Sequence, residues 1–228
     1  MLISEIYLSN QGEGLLTGTP SIFIRTSGCN LRCTFCDTPF TSWTPEGTEN
    51  KPDAIISQIS HFAADHVVIT GGEPMLQKSL PDLTMDIKRM GKHITIETAG
   101  TLFQPVECDL MSISPKLSNS TPTIERAGRW SQRHDQDRIN IDVLKSLTDQ
   151  FPYQLKFVVA SDDDLIEIED LLEQIGNIRR ERVLLMPEGV DIQVLNAREH
   201  WLRPLCESRG FQYCPRMHIL WYGNKRGT

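Results

Sequence analysis

Two patterns of hydrophobic and polar positions alternate along the chain. Short apolar runs recur, bounded by glycine, proline or small polar residues. They are Ser21-Ile22-Phe23-Ile24-Arg25, Val67-Val68-Ile69, Ile94-Thr95-Ile96, Leu110-Met111-Ser112-Ile113, Leu155-Lys156-Phe157-Val158-Val159, Val183-Leu184-Leu185 and Phe211-Gln212-Tyr213. Runs of this length and composition predict strands. Between them apolar residues fall at helical spacing. Ile55, Ile59 and Phe62 share a face in Pro52 to Ala63, with Pro52 suited to a first turn. Leu80, Leu83, Ile87 and Met90 predict a helix stopped by Gly91; Leu165, Ile168, Leu172 and Ile175 predict one stopped by Gly176. Ser161 with Asp164 forms a variant capping box before the latter. Ile141, Leu144 and Leu147 mark another helix, and Val194 to Leu205 the last. Ser4–Gly18, Thr41–Lys51 and Asn119–Asp137 read as loops; the last is long, polar and a candidate for function.

Strands alternating with helices predict an α/β fold in which helices cover a parallel sheet. About six to seven strands are expected, with fewer helices than a complete eightfold barrel requires. A partial, open (β/α) barrel and a doubly wound sheet both satisfy this pattern. Candidate site residues recur where strands end, at Cys29, Gly72, Thr98, Lys116 and Glu188, where ligands gather in barrel-type folds.

Length adds one constraint: 228 residues fit a single domain, 1–228. Hydrophobic content of 39% and charged content of 23% are ordinary for a globular protein. A net charge of −7 argues against a nucleic-acid partner. No apolar run approaches the roughly 18 residues of a membrane span, and the first residues lack the layout of a signal peptide. Six cysteines in a chain of this size do not make a disulfide scaffold, so a reducing cytoplasm is the expected location. Cys108, Cys206 and Cys214 are scattered and expected to be packing residues.

The remaining three cysteines change the picture. Cys29, Cys33 and Cys36 have the spacing C-x3-C-x2-C. Clustered thiolates suit a soft metal centre. A structural zinc site closes its tetrahedron with a fourth Cys or His, and the first histidine is His61. An ordinary 4Fe–4S cluster uses four cysteines, so three would leave one iron open to another ligand. A zinc knuckle, a disulfide or a set of reduced thiols are the alternatives.

This spacing, with Phe35 before the third cysteine, resembles the radical S-adenosylmethionine (SAM) superfamily. The resemblance implies an open, partial (β/α) barrel with the cluster near its mouth, an open iron that chelates SAM, and reductive cleavage that yields a 5′-deoxyadenosyl radical. Thr70-Gly71-Gly72-Glu73-Pro74 resembles the stretch that meets the amino group of SAM's methionine. More specific elements resemble the 7-carboxy-7-deazaguanine synthase family almost end to end: Gln11-Gly12-Glu13-Gly14, Arg25, Cys36-Asp37-Thr38, Glu97-Thr98, Ser114-Pro115-Lys116 and the Gly223-to-Gly227 tail. The tail matches one branch of that family, and Ala99 stands where Asn or Ser is common. The resemblance implies contraction of 6-carboxy-5,6,7,8-tetrahydropterin to 7-carboxy-7-deazaguanine with release of ammonia, in a homodimer using magnesium. A one-electron donor such as flavodoxin or ferredoxin is the expected protein partner.

Carried over residue by residue, Cys29, Cys33 and Cys36 would hold the cluster and Thr38 the magnesium. Phe35, Cys36, Asp37, Gly72, Glu73, Ser114, Pro115 and Lys116 would line SAM, with Met186, Pro187, Glu188 and Gly189 at its adenosine end. Asn10, Gln11, Gly12, Glu13, Arg25, Thr70 and Thr228 would hold the pterin. For Arg25 the chemistry agrees, since a guanidinium matches a carboxylate in bidentate fashion; a structural ion pair is the other reading. Lys116 reads either as a ligand or as a solvated lysine, and His218 and Trp221 read as packing of the tail. The rival activities are a glycyl-radical-enzyme activating enzyme and a non-catalytic iron–sulfur or zinc module.

Overall fold

Apolar strand residues that alternate with polar ones give each strand two unlike faces. In the computed structural model, which describes residues 1–228, that alternation sorts a nine-stranded sheet into an outer and an inner surface. The strands are β1 (Leu2–Asn10), β2 (Pro20–Thr26), β3 (Thr48–Glu49), β4 (His66–Gly71), β5 (His93–Thr98), β6 (Leu110–Ile113), β7 (Tyr153–Val159), β8 (Val183–Pro187) and β9 (Gln212–Tyr213). Their order is β3-β1-β2-β4-β5-β6-β7-β8-β9. From β2 to β9 every neighbour is parallel and follows in chain order. A doubly wound sheet reverses its order at a switch point; this one never does. It is an open, singly wound partial barrel whose seven parallel strands match the six to seven expected.

The helices are α1 (Pro39–Ser42), α2 (Pro52–Ile59), α3 (Leu80–Arg89), α4 (Ile124–Ala127), α5 (Arg129–Asp137), α6 (Ile141–Gln150), α7 (Asp164–Ile175), α8 (Ile192–Arg209) and α9 (Met217–Tyr222). Ile22, Ile24, Val67, Ile69, Ile94, Ile96, Leu155 and Phe157 face outward and are buried with Ile55, Leu83, Leu144 and Ile168 of the helices. The residues between them face inward: Arg25 on β2, Thr70 on β4, Glu97 on β5, Ser112 on β6 and Lys156 on β7 all line one cavity. The capping box is half realised: Asp164 accepts from the Ser161 and Ala160 amides.

Three expectations change. Ser4–Gly18 is not loop throughout, because Leu2–Asn10 is a strand pairing antiparallel to β2. It is half-buried along most of its length and interrupted by a bulge near Ile3 and Glu5, so no clean alternation marks it. Asn119–Asp137 is not a loop but carries α4 and α5. Only His134 of α5 is buried; a helix with no apolar stripe has no hydrophobic period to read. Thr41–Lys51 is not loop throughout either, because Thr48–Glu49 is a short strand pairing with β1; the tail includes α9.

Candidate active site

The inward faces enclose a cavity of about 760 Å³, the size of a small-molecule site. One wall is the cysteine loop that leaves β2. Its residues alternate: Cys29, Leu31, Cys33 and Phe35 line the cavity, whereas Asn30, Arg32 and Thr34 do not. The even residues are tied to the outside. The Asn30 side chain donates to Thr101 Oγ1 at 3.0 Å. The Arg32 amide donates to His134 Nδ1 at 3.0 Å, and the Thr34 amide to the Ser120 carbonyl at 2.8 Å. His134 is fully buried, and Nε2 meets Ser120 Oγ at 2.9 Å, which itself donates to the Leu117 carbonyl at 2.6 Å. With Nδ1 accepting, the neutral ring carries its proton on Nε2. Burial, with Arg138 nearby, pushes the His134 pKa down to about 4. Trp43 Nε1 donates to the Cys33 carbonyl at 3.1 Å. The segment expected as a loop is therefore what holds the cysteine loop in shape.

The glycine pair after β4 is required by a close approach of backbones. A Cβ on Gly71 would strike the Thr26 backbone, and one on Gly72 the Gly28 carbonyl. The Gly72 amide donates to the Thr26 carbonyl at 3.1 Å, and the Glu73 amide to that of Gly28 at 2.9 Å. Gly72 lines the cavity; Glu73 does not. Its fully buried carboxylate accepts from the Met75 amide (3.0 Å), Thr98 Oγ1 (2.8 Å) and the Ala99 amide (2.8 Å). Burial pushes its pKa up against those hydrogen bonds. Glu73 thus braces the ends of β4 and β5 with its side chain outside the cavity wall. Pro115 and Pro187, also expected at SAM, are buried outside the cavity wall, while their neighbours Ser114, Lys116, Met186, Glu188 and Gly189 line it. Lys116 Nζ folds onto the Ser114 carbonyl and hydroxyl, both at 2.7 Å.

Asn10, Gln11, Gly12, Glu13, Arg25 and Thr70 line the same cavity as the cysteines. Gln11 is buried and donates to Ser21 Oγ at 2.9 Å. Arg25 is held by Glu5 Oε1 at Nε (2.7 Å) and by the Tyr7 hydroxyl at Nη2 (2.6 Å). It has the structural ion pair and also lines the cavity. Thr38 stands at the start of α1, yet its side chain makes no capping hydrogen bond. Its hydroxyl lies 3.3 Å from Thr41 Oγ1 and lines the cavity. Thr228, at the end of the tail, lines it too.

The floor is a charged network of which motif reading named Glu13, Asp37 and Glu97 but missed Lys156 and Arg216. Lys156 Nζ bridges Glu13 Oε2 at 2.6 Å and Glu97 Oε1 at 3.3 Å, with its side chain 6% exposed. Arg216 pairs with Glu13 Oε1 at 3.2 Å and with Asp37, and donates to the Gly189 carbonyl at 2.6 Å. Burial opposes the charge on Glu13, but Lys156, Arg216 and His218 outweigh it and hold its pKa far below the carboxylate range. Lys156 is raised above the usual lysine value, chiefly by Glu13 and Glu97 against its burial. A signal was present: a lysine between Leu155 and Phe157 in a buried strand is almost never unpaired. His218 does pack the tail, against Gly12, but it also lines the cavity and sits 3.8 Å from Glu13.

The radical SAM superfamily profile matches residues 23–141. A 7-carboxy-7-deazaguanine synthase of Rhodopirellula baltica is 48% identical over 100% of this chain and 89% of its own length. One of Halobacterium salinarum is 46% identical over 96% of this chain and 90% of its own. This chain belongs to the 7-carboxy-7-deazaguanine synthase family. It is thus a radical SAM enzyme, and the superfamily implies a 4Fe–4S cluster and SAM. The crystal structure of QueE from Escherichia coli shares the fold, at a TM-score of 0.68 and 24% identity over 95% of this chain and 94% of that one. Streptococcus suis SuiB bound to precursor peptide SuiA matches with a TM-score of 0.57 and 14% identity, over 88% of this chain and 54% of SuiB.

The cysteine loop fits that cluster chemically. Three thiols from one loop enter one cavity, and no fourth cysteine lines it. No three Cys, His, Asp or Glu side chains converge on a single point, as a structural zinc site would require. A four-iron cluster binds separate thiolates at separate irons and needs no such point. Burial pushes free Cys29 up to about 12 and free Cys33 to about 11, so cluster assembly displaces protons from these thiols. No helix of this family member is long and apolar enough to cross a membrane.

Proposed function

We propose that this enzyme converts 6-carboxy-5,6,7,8-tetrahydropterin to 7-carboxy-7-deazaguanine with release of ammonia, as one radical SAM domain over 1–228. The observation that carries the reading is one cavity lined both by the three thiols of the cysteine loop and by Arg25, a residue suited to binding a carboxylate. Cys29, Cys33 and Cys36 would hold the cluster, and Gly72, Ser114, Lys116 and Met186 to Gly189 would border SAM. When bound, the cluster and SAM supply hydrogen-atom abstraction from the substrate. Arg25, steadied by Glu5 and Tyr7, turns its remaining N–H groups to the substrate carboxylate. Glu13, kept ionised by Lys156 and Arg216, accepts hydrogen bonds from the donor edge of the pterin, while Gln11 and Thr70 flank it. A concave cavity of this size suits a pterin better than the docking of a glycyl-radical protein. We place the working enzyme in the cytoplasm as a homodimer, taking electrons from flavodoxin or ferredoxin. Anaerobic reconstitution with iron and sulfide, then SAM, dithionite and the carboxypterin, tests the reading: the carboxydeazaguanine should appear. Cleavage of SAM with no product from this pterin would overturn it.

Magnesium enters through Thr38. A hard cation can orient a carboxylate and a ring carbonyl together, and magnesium takes few protein ligands, filling the rest from substrate and water. One threonine oxygen facing the cavity suits that role. Thr38→Ala is expected to assemble the cluster and cleave SAM, yet form product slowly and respond little to added magnesium, with Thr38→Ser close to wild type. A wild-type magnesium response in Thr38→Ala would move the metal elsewhere.

A further inference from the structure

The even-numbered side of the cysteine loop is covered by a surface unlike the rest of the molecule. The chain carries a net charge of −7, and most of its arginines sit within ion-pair distance of a carboxylate. Arg32, Arg126, Arg129 and Arg182 do not, and the first three of these lie together here. Arg32 lies over the Trp130 ring at 4.0 Å and Arg126 over Trp43 at 4.6 Å. Arg126 also donates to the Thr34 carbonyl and hydroxyl, at 2.7 and 2.9 Å. Arg129 and Arg133 are exposed on α5, with Arg133 also over Trp130 at 4.8 Å. Ile124, next to this cluster, is 68% exposed. None of these residues lines the cavity.

The chemistry of the site demands something from outside. The cluster must be reduced by one electron from outside before SAM can be cleaved, and the cavity side of the loop is taken by SAM and substrate. The electron must reach the cysteines from the other side, through Arg32, Thr34 and their neighbours. Arginine, tryptophan and an exposed aliphatic are the composition of a protein-binding surface. The unpaired guanidiniums of Arg126 and Arg129, with Arg133 beside them paired to Asp137 at 3.3 Å, select a partner of opposite charge on an otherwise acidic protein and speed its encounter.

We propose that the layer formed by Arg126, Arg129 and Arg133 with Trp43, Trp130 and Ile124 is the docking surface for an acidic protein that carries a one-electron flavin or iron–sulfur centre. This rests on the radical SAM reading of the cysteine loop. In the docked complex the carrier's reduced centre loses one electron and the cluster gains it; no bond to protein changes. Arg126 and Arg32 hold both the loop and the surface, so the docking face and the electron's destination form one rigid piece.

The test uses the reconstituted enzyme with a purified flavodoxin and its reductase. Hydrogen exchange should show protection of residues 124–133 on adding flavodoxin, and raising ionic strength should weaken it. Arg129→Glu/Arg133→Gln should lower flavodoxin-driven turnover by about tenfold, the scale of losing rim charges in a steered encounter. Turnover driven by dithionite is the reference and should stay within twofold. Arg182→Glu, an unpaired arginine elsewhere, should leave both rates unchanged. An equal loss in Arg182→Glu, equal loss with both reductants, or protection elsewhere on the chain would overturn the proposal. So would protection of 124–133 by RNA or by self-association but not by flavodoxin. Absence of product with dithionite, alongside flavodoxin protection of 124–133, would instead count against the substrate assigned above.

Discussion

Cys33→Ala is expected to lose reductive SAM cleavage by on the order of 10³-fold or more, the scale seen when one member of a unit acting together is removed. Cys33 sits at the middle of the alternating loop, with its carbonyl fixed by Trp43 and both its neighbours fixed by the 118–138 segment. Alanine would leave that frame in place and remove one of three thiolates, so two irons instead of one would lack a protein ligand. The fold should survive, since Cys33 is outside the hydrophobic core. Iron content, the EPR spectrum of the reduced cluster with and without SAM, and 5′-deoxyadenosine formation are the measurements. Cys206→Ala, which empties a core position, should retain the cluster. Full iron loading, a normal SAM-dependent spectrum and wild-type cleavage in Cys33→Ala would remove this cysteine from the cluster.

Lys156→Met should cost about 3–5 kcal/mol of folding stability, as for a buried ion pair that loses one partner. Glu13 and Glu97 would then lose the cation they share, leaving Arg216 and His218 on the Glu13 side to compensate. Glu13 has a folded-state pKa held below its unfolded one, chiefly by Lys156 and then Arg216, against burial. Its contribution is therefore present above the ordinary carboxylate range and is lost as pH falls through that range towards the depressed value. Wild type and Lys156→Met should differ most near neutrality and converge in acid. Urea unfolding at several pH values reads this directly. The double variant Glu13→Gln/Lys156→Met should regain part of the stability, because it buries no unpaired charge. It should still bind the pterin poorly, since Glu13 is a substrate contact in the proposed function. Equal stability in wild type and single variant at pH 7 would show that Lys156 is not paired as drawn.

The separation of fold from floor follows from what each depends on. Strand and helix positions come from local periodicity: Leu110-Met111-Ser112-Ile113 coincides with β6, and Leu80 to Met90 nearly with α3. The chemistry of the loops was legible because it is contiguous. Cys29, Cys33 and Cys36 occupy one loop, and Gly71-Gly72 one turn, so spacing alone carries the information. The loss of Glu73, Pro115 and Pro187 from the cavity wall could not be read in that way. Neighbours at a strand end point in opposite directions, and which side faces the ligand is set by sheet register and barrel curvature.

By itself the sequence determined the alternating α/β pattern, the family and the three-thiolate loop, because each is written within a few consecutive residues or in one period. Only the tertiary structure decided that the sheet is singly wound and open, since that depends on which strands pair. It alone joined Glu13, Lys156, Glu97, Arg216 and Asp37, which are as much as 203 residues apart in the chain, into one network. It also turned the polar stretch 119–137 into helices that seat His134 beneath Arg32. A helix with no apolar face is stabilised by what it touches in three dimensions, and no local pattern records that.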